Sequence, residues 1–171
     1  MSEQETETLI TDMASQLSEL IKTKELNNPL MIGIHTGGVW VAERLHALLK
    51  LCEPAGSLDI SFYRDDFTRI GLNPQVKPSQ LPHNVDDRDV ILVDDVLYTG
   101  RTIRAALNEI FDYGRPSKVV LAVLLDRGGR ELPLQANIVG KQLSLQENEQ
   151  VKLSGPDPLK YEIQKTELAA T

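Results

Sequence analysis

Apolar residues recur at two periods along this chain, and the switching between them predicts the order of its elements. Leu9, Ile10, Met13, Leu17, Leu20 and Ile21 follow helical spacing in an otherwise polar stretch, so an amphipathic helix comes first, its apolar face packed on the sheet. Short runs at 30–34, 58–63, 90–93 and 118–125 read as strands, of which 90–93 and 118–125 are apolar enough to be covered on both faces. Residues 39–51 and 102–113 read as helices between them. The latter gathers Ile103, Ala106, Leu107, Ile110 and Phe111 on one side and stops at Gly114. Two further short strands are expected at 150–153 and 159–164. Strands alternating with helices predict an α/β fold with a mainly parallel, twisted sheet, flanked by helices and joined by right-handed crossovers.

The most informative stretch is Val90-Ile91-Leu92-Val93-Asp94-Asp95-Val96-Leu97-Tyr98-Thr99-Gly100-Arg101-Thr102. A buried strand here delivers two acids to its carboxyl end, where open parallel sheets bind ligands, and a small-residue turn then opens a helix. Adjacent carboxylates accept hydrogen bonds from a vicinal diol. The turn offers hydroxyls and backbone N–H groups at a helix N-terminus, which suits a phosphate. An isolated Asp-Asp pair would merely end a strand; the whole pattern in register points to a sugar-phosphate site. A second loop, Gly33-Ile34-His35-Thr36-Gly37-Gly38, lies between the first sheet strand and its helix, and its paired glycines let backbone approach an anion. For His35, a local hydrogen bond in the turn and a contact to the anion stand as equal readings.

Four hydrophobics, two acids and a Thr-Gly turn resemble the phosphoribosyl pyrophosphate (PRPP) motif of type I phosphoribosyltransferases. The version Asp-Asp-Val-Leu-Tyr-Thr-Gly-Arg-Thr is similar to the PyrR family, which combines uracil phosphoribosyltransferase activity with RNA-dependent control of pyrimidine operons. Segments 31–45, 58–66, 90–105 and 114–141 resemble that family in the same order. The resemblance implies that Asp94 and Asp95 hold the ribose hydroxyls and approach Mg²⁺ through water, while Leu97, Tyr98, Thr99, Gly100, Arg101 and Thr102 bind PRPP. It places the pyrophosphate on His35, Thr36, Gly37 and Gly38. The family usually has an arginine where this chain has Gly37, so one cation is missing. Residues 64–87 contain Pro74, Pro78 and Pro82 without helical or alternating period, and correspond to a flexible lid that excludes water from the activated sugar. A solvated linker is the plainer reading of that stretch. Arg64, which takes a catalytic role, and Arg69 are its candidates for reaching pyrophosphate.

The same resemblance puts the base pocket and the C-terminal segment in 126–171, with Asp126, Arg127, Ile138 and Val139 around the base. Ile138 stands where many relatives have tyrosine and would supply an apolar wall without stacking. Arg130 and Lys141 match the family's RNA-facing surface, whereas Gly129 and Gln135 replace its usual histidine and arginine. The implied reaction converts PRPP and uracil to UMP and pyrophosphate with Mg²⁺. Tyr98 stands where purine-specific relatives carry an aspartate as catalytic acid, and a phenol with a pKa near 10 replaces that acid poorly, which favours a pyrimidine. The competing readings are a weakly catalytic nucleotide sensor that binds pyrimidine-operon leader RNA, and a phosphoribosyltransferase for another base.

Composition narrows the surroundings of this chemistry. The 171 residues suit a single phosphoribosyltransferase domain. A net charge of −7 argues against indiscriminate nucleic-acid binding, leaving only a local basic patch for RNA. Cys52 is the only cysteine, so no intrachain disulfide forms. The acidic residues 1–8 do not resemble a signal peptide and no apolar run spans a membrane, so the expected location is the cytoplasm. A homo-oligomer is expected. Neither Gly-x-x-x-x-Gly-Lys-Ser/Thr nor Gly-x-Gly-x-x-Gly occurs, which removes Walker-A hydrolases and Rossmann oxidoreductases from consideration. His46 and His83 are expected at the surface, and Trp40 in packing or at a subunit interface.

Overall fold

A computed structural model describes residues 2–60, 81 and 84–166. Its main sheet has five parallel strands: β1 (Leu30–Ile34), β2 (Gly56–Leu58), β3 (Asp89–Leu97), β4 (Lys118–Asp126) and β5 (Ile138–Gln142). Their spatial order is β2-β1-β3-β4-β5. Helices α1 (Glu3–Lys22), α2 (Gly37–Leu49) and α3 (Arg101–Tyr113) cover the faces, and β6 (Glu149–Ser154) pairs antiparallel with β7 (Lys160–Lys165) in a separate hairpin.

Strand alternation explains why the sheet needs cover on both sides. Ile91 and Val93 enter a core with Ile10, Met13 and Leu17 of α1 and Val41 and Leu45 of α2, while Val90 and Leu92 enter a second core with Ile103, Ala106 and Ile110 of α3. Burying such side chains stabilises the fold by about 1.5–3 kcal/mol each. Leu153, Leu159 and Tyr161 bring the hairpin into the first core. Trp40 is a packing residue there: a β-carbon on Gly155 would stand 3.0 Å from its ring.

The periodicity located α1, β1, α2, α3, β4 and the hairpin to within a few residues, but several details differ. Strand β5 was not foreseen, because Ile138-Val139-Gly140 is too short to announce itself. β2 starts before the expected 58–63 run, and residues 61–63 lie outside the described chain. Phe111, expected on the buried side of α3, is 55% exposed; Ala105 takes a place in the core instead. Gly114 ends α3 with φ of 171, which is extended backbone. Its role is spatial, since a β-carbon would stand 2.5 Å from Asp86 Oδ1. His46 is half-buried, with Nε2 2.6 Å from the Glu53 carbonyl oxygen.

Candidate active site

The chain runs from β1 outward to β2 and then back past β1 to β3, so strand order reverses between β1 and β3. A crevice opens at such a reversal, outside the carboxyl ends of the two strands. The loop after β1 and the loop after β3 flank it, and the two acids form its floor. β3 extends through both acids to Leu97, instead of ending before them as the sequence suggested. β1 pairs with β3 only as far as Gly33 opposite Val93, however, so Asp94 and Asp95 lie past the reach of β1. Asp94 is buried and Asp95 half-buried. Each accepts the next residue's backbone N–H, Asp94 from Asp95 and Asp95 from Val96, both at 2.8 Å. Those bonds fix the carboxylates without consuming all their lone pairs. Asp89, at the other end of the strand, is different: it is buried and accepts the Asn27 N–H at 2.7 Å, a structural bond far from the crevice.

The β1–α2 loop presses directly on this floor. A β-carbon on Gly38 would stand 2.7 Å from the Val93 carbonyl oxygen, and one on Gly37 would stand 2.3 Å from Asp95 Oδ2. Gly37 therefore does more than lack an arginine: its bareness makes room for the Asp95 carboxylate. His35 donates its backbone N–H to the Leu58 carbonyl at 2.8 Å, continuing the pairing of β1 with β2. Thr36 is the N-cap of α2, yet its side chain makes no capping bond and is exposed. The first N–H groups of a helix have no intrahelical acceptor, so this end of α2 offers donors to an anion.

The β3–α3 loop is built differently. Gly100 caps α3 with φ of 94, a left-handed conformation that glycine adopts without a β-carbon penalty. Thr99 Oγ1 accepts the Arg101 N–H at 3.2 Å. Leu97, expected to contact ligand, buries its side chain in the second core, and only its backbone borders the site. Tyr98 is 47% exposed, with the Arg127 guanidinium 3.9 Å from its ring centroid. Gly129, with φ of 81, allows this arrangement: a β-carbon would come 2.5 Å from Tyr98 Cε1. The sequence reading took Gly129 only as a lost basic contact.

Residues expected at the base divide into two groups. Asp126 and Arg127 reach the carboxyl edge of the sheet at the end of β4. Val139 lies further back along the sheet but level with the acids, because it pairs with Val123, the partner of Asp94; the residue before it, opposite Ala122, is Ile138. Its side chain packs in the first core. Asp126 is already engaged, accepting from Gly128 N–H at 3.0 Å and from Arg130 at 2.7 Å. Burial alone would raise its pKa, but the Arg130 hydrogen bond, the Gly128 N–H and the Arg130 charge outweigh burial and hold the carboxyl below its ordinary value. Arg127 keeps a buried Nε without a partner among the described residues, and its Nη2 lies 3.5 Å from the Glu149 carbonyl oxygen.

The residues matched to an RNA-facing surface also divide. Lys141 is exposed and lines a groove of about 440 Å³ with Ser2, Gln4, Glu5, Thr8 and Leu9 of the α1 end. Arg130 is not presented outward: its side chain is 22% exposed and donates to Leu134 O, Tyr98 O and Asp126. Carbonyls of two neighbouring loops need donors, and the fork of Arg130 supplies them. Glu131, Leu132 and Leu134, which the sequence placed only within the base-pocket segment, stand behind the β3–α3 loop. Their only sequence signal is apolar alternation around Pro133. Arg64, Arg69 and His83 lie outside the described residues. Among the described residues, no group of three His, Cys, Asp or Glu side chains comes together to hold a metal ion, and no helix is long and apolar enough to cross a membrane.

Comparison with known proteins follows the same lines. Residues 2–154 match the phosphoribosyl transferase domain family. The chain is 63% identical over 158 residues to the bifunctional protein PyrR of Nitrosococcus oceani, covering 91% of this chain and 89% of that one. It is 53% identical over 156 residues to the bifunctional protein PyrR of Pseudomonas syringae pv. tomato, covering 91% and 92%. Among solved structures, the hypoxanthine phosphoribosyltransferase of Trypanosoma cruzi superposes with a TM-score of 0.72 at 22% identity, covering 98% of this chain and 95% of that chain. The hypoxanthine phosphoribosyltransferase of Staphylococcus aureus does so with a TM-score of 0.69 at 19% identity, covering 97% and 90%. At those identities the likeness establishes the fold.

Proposed function

The chain belongs to the PyrR branch of the phosphoribosyltransferases, and on that premise we propose that it transfers the phosphoribosyl group of PRPP to uracil. The observation that carries this reading is the pair Asp94 and Asp95, on the floor of a crevice between two anion-suited helix ends. One loop would take the 5′-phosphate and the other the pyrophosphate, with the ribose hydroxyls on the acids between them. The C1′–oxygen bond to pyrophosphate breaks with its electron pair leaving on that oxygen. N1 of uracil bonds to C1′ and gives up its proton to the departing pyrophosphate or to water. The transition state resembles an oxocarbenium ion, so positioning and charge placement account for the rate and no protein nucleophile is required.

Two adjacent carboxylates with no third ligand among the described residues fit Mg²⁺ carried largely by substrate oxygens, which keeps several of its waters. Asp94 and Asp95 would hold it through water, and the ion would supply positive charge beside the departing pyrophosphate. On the base side, Arg127 is the better candidate contact, because Asp126 has both oxygens engaged. Tyr98 favours a pyrimidine, since it stands where purine-specific relatives carry an aspartate. The names of the relatives suggest a second activity, control of pyrimidine genes through leader RNA. With Arg130 turned inward, Lys141 is the described cation best placed for it. A homo-oligomer in the cytoplasm completes the proposal.

The decisive experiment incubates the protein with Mg²⁺, PRPP and each free base in turn. UMP should form fastest. A preference for hypoxanthine, guanine or orotate would overturn the substrate assignment, and no nucleotide from any base would overturn the enzymatic one.

A further inference from the structure

Carbonyls on the back of the β3–α3 loop are all claimed by one segment. Arg130 donates to Tyr98 O at 2.9 Å, and the backbone N–H groups of Glu131 and Leu132 donate to Thr99 O at 2.9 and 3.1 Å. Glu131 pairs with Arg101 Nε at 2.8 Å. Leu132 and Leu134 fill the space beside Gly100, where a β-carbon would meet them at 3.3–3.6 Å. Arg130 in turn anchors the segment to the sheet through Asp126 at 2.7 Å and closes it through Leu134 O at 2.8 Å. A peptide unit whose carbonyl is fixed on one side turns its N–H to the other.

We infer that Arg130 is a positioning residue: by fixing the Tyr98 carbonyl to the Asp126 carboxylate, it braces the β3–α3 loop in the conformation that aims its N–H groups at the 5′-phosphate of PRPP. This rests on the proposed reading of that loop as the phosphate holder. It assigns Arg130 inward, to substrate placement, instead of outward to RNA. Asp126, held ionised by Arg130, is the anchor and does not read the base.

Two variants of the full chain test this, Arg130→Gln and Arg130→Lys, each followed by amide hydrogen exchange and by steady-state kinetics. The brace requires faster exchange at Tyr98 to Thr102 in Arg130→Gln, with β1 and β4 unchanged. Losing a charge-assisted bond should raise KM for PRPP about tenfold, with KM for uracil changed less than about twofold. Lysine keeps the charge but not the fork, so Arg130→Lys should fall between wild type and Arg130→Gln, and it carries the same test if the glutamine variant does not fold. Unchanged exchange and an unchanged KM for PRPP would overturn the inference, even if RNA affinity fell. Uniformly faster exchange, with both KM values and kcat altered alike, would overturn it in favour of a merely structural bond. Should the wild-type protein convert no base at all, the activity reading fails, while exchange at Tyr98 to Thr102 still decides the brace.

Discussion

The two loops that flank the crevice are held in opposite ways. The β1–α2 loop is held from the front, by close contact of Gly37 and Gly38 with the acid-bearing end of β3. The β3–α3 loop is held from behind, by residues about thirty positions later in the chain. Glycine means something different in each. Gly38 is required by space, because the atom a β-carbon would strike is backbone. Gly100 is required by its φ of 94, since the atoms a β-carbon would meet belong to leucine side chains, the nearest 3.3 Å away and able to shift.

The largest effect should come from the floor the loops share. Converting Asp94 and Asp95 together to asparagine should lower kcat/KM for UMP formation by about a hundredfold or more, with the thermal midpoint nearly retained. Near-normal turnover in the folded double variant would remove the acids from the mechanism. Next come the front contacts. Gly38→Ala forces its methyl on the Val93 carbonyl and should destabilise the fold by about 1–3 kcal/mol in denaturant titrations. Gly37→Ala meets the Asp95 side chain first; it should cost less stability than Gly38→Ala and lower turnover by displacing that carboxylate. If the two glycine variants behaved alike, the distinction between backbone and side-chain contact would be wrong.

Gly100→Ala probes the rear-held loop, where strain replaces collision and the expected loss is about 1 kcal/mol. Acid titration tests its anchor. The Asp126 carboxyl is held below its ordinary value of 3.8, so its contribution is complete above that pH and is lost as pH falls below it. Asp126→Asn should therefore lose less stability than the wild type over that acid range; parallel curves would show that Asp126 anchors nothing. The smallest effect should come from Arg101 and Glu131, whose side chains are 54% and 53% exposed. A double-mutant cycle on this pair should give under about 1 kcal/mol.

The difference between the loops also separates what was legible in the chain from what was not. Front contacts arise from glycines and acids that sit inside short motifs, so both loops and the acid pair could be found from sequence. Even there, the reason for Gly37 was hidden, because its neighbour Asp95 lies fifty-eight positions away in the chain. The rear brace carried no motif, and Arg130 looked like a free surface cation until its three acceptors were located. Ile138 looked like a wall for the base, and the structure shows its side chain packed in the first core.

Residue type and period, which are local quantities, determined by themselves that this chain forms a parallel α/β sheet and that the chain turns at 35–36 and 98–100, after the carboxyl ends of β1 and β3. Register and side-chain direction across the sheet are set by packing between segments distant in sequence. Only the tertiary structure could therefore decide that β5 carries Ile138 inward, that Gly37 makes room for an acid, and that Arg130 faces the β3–α3 loop.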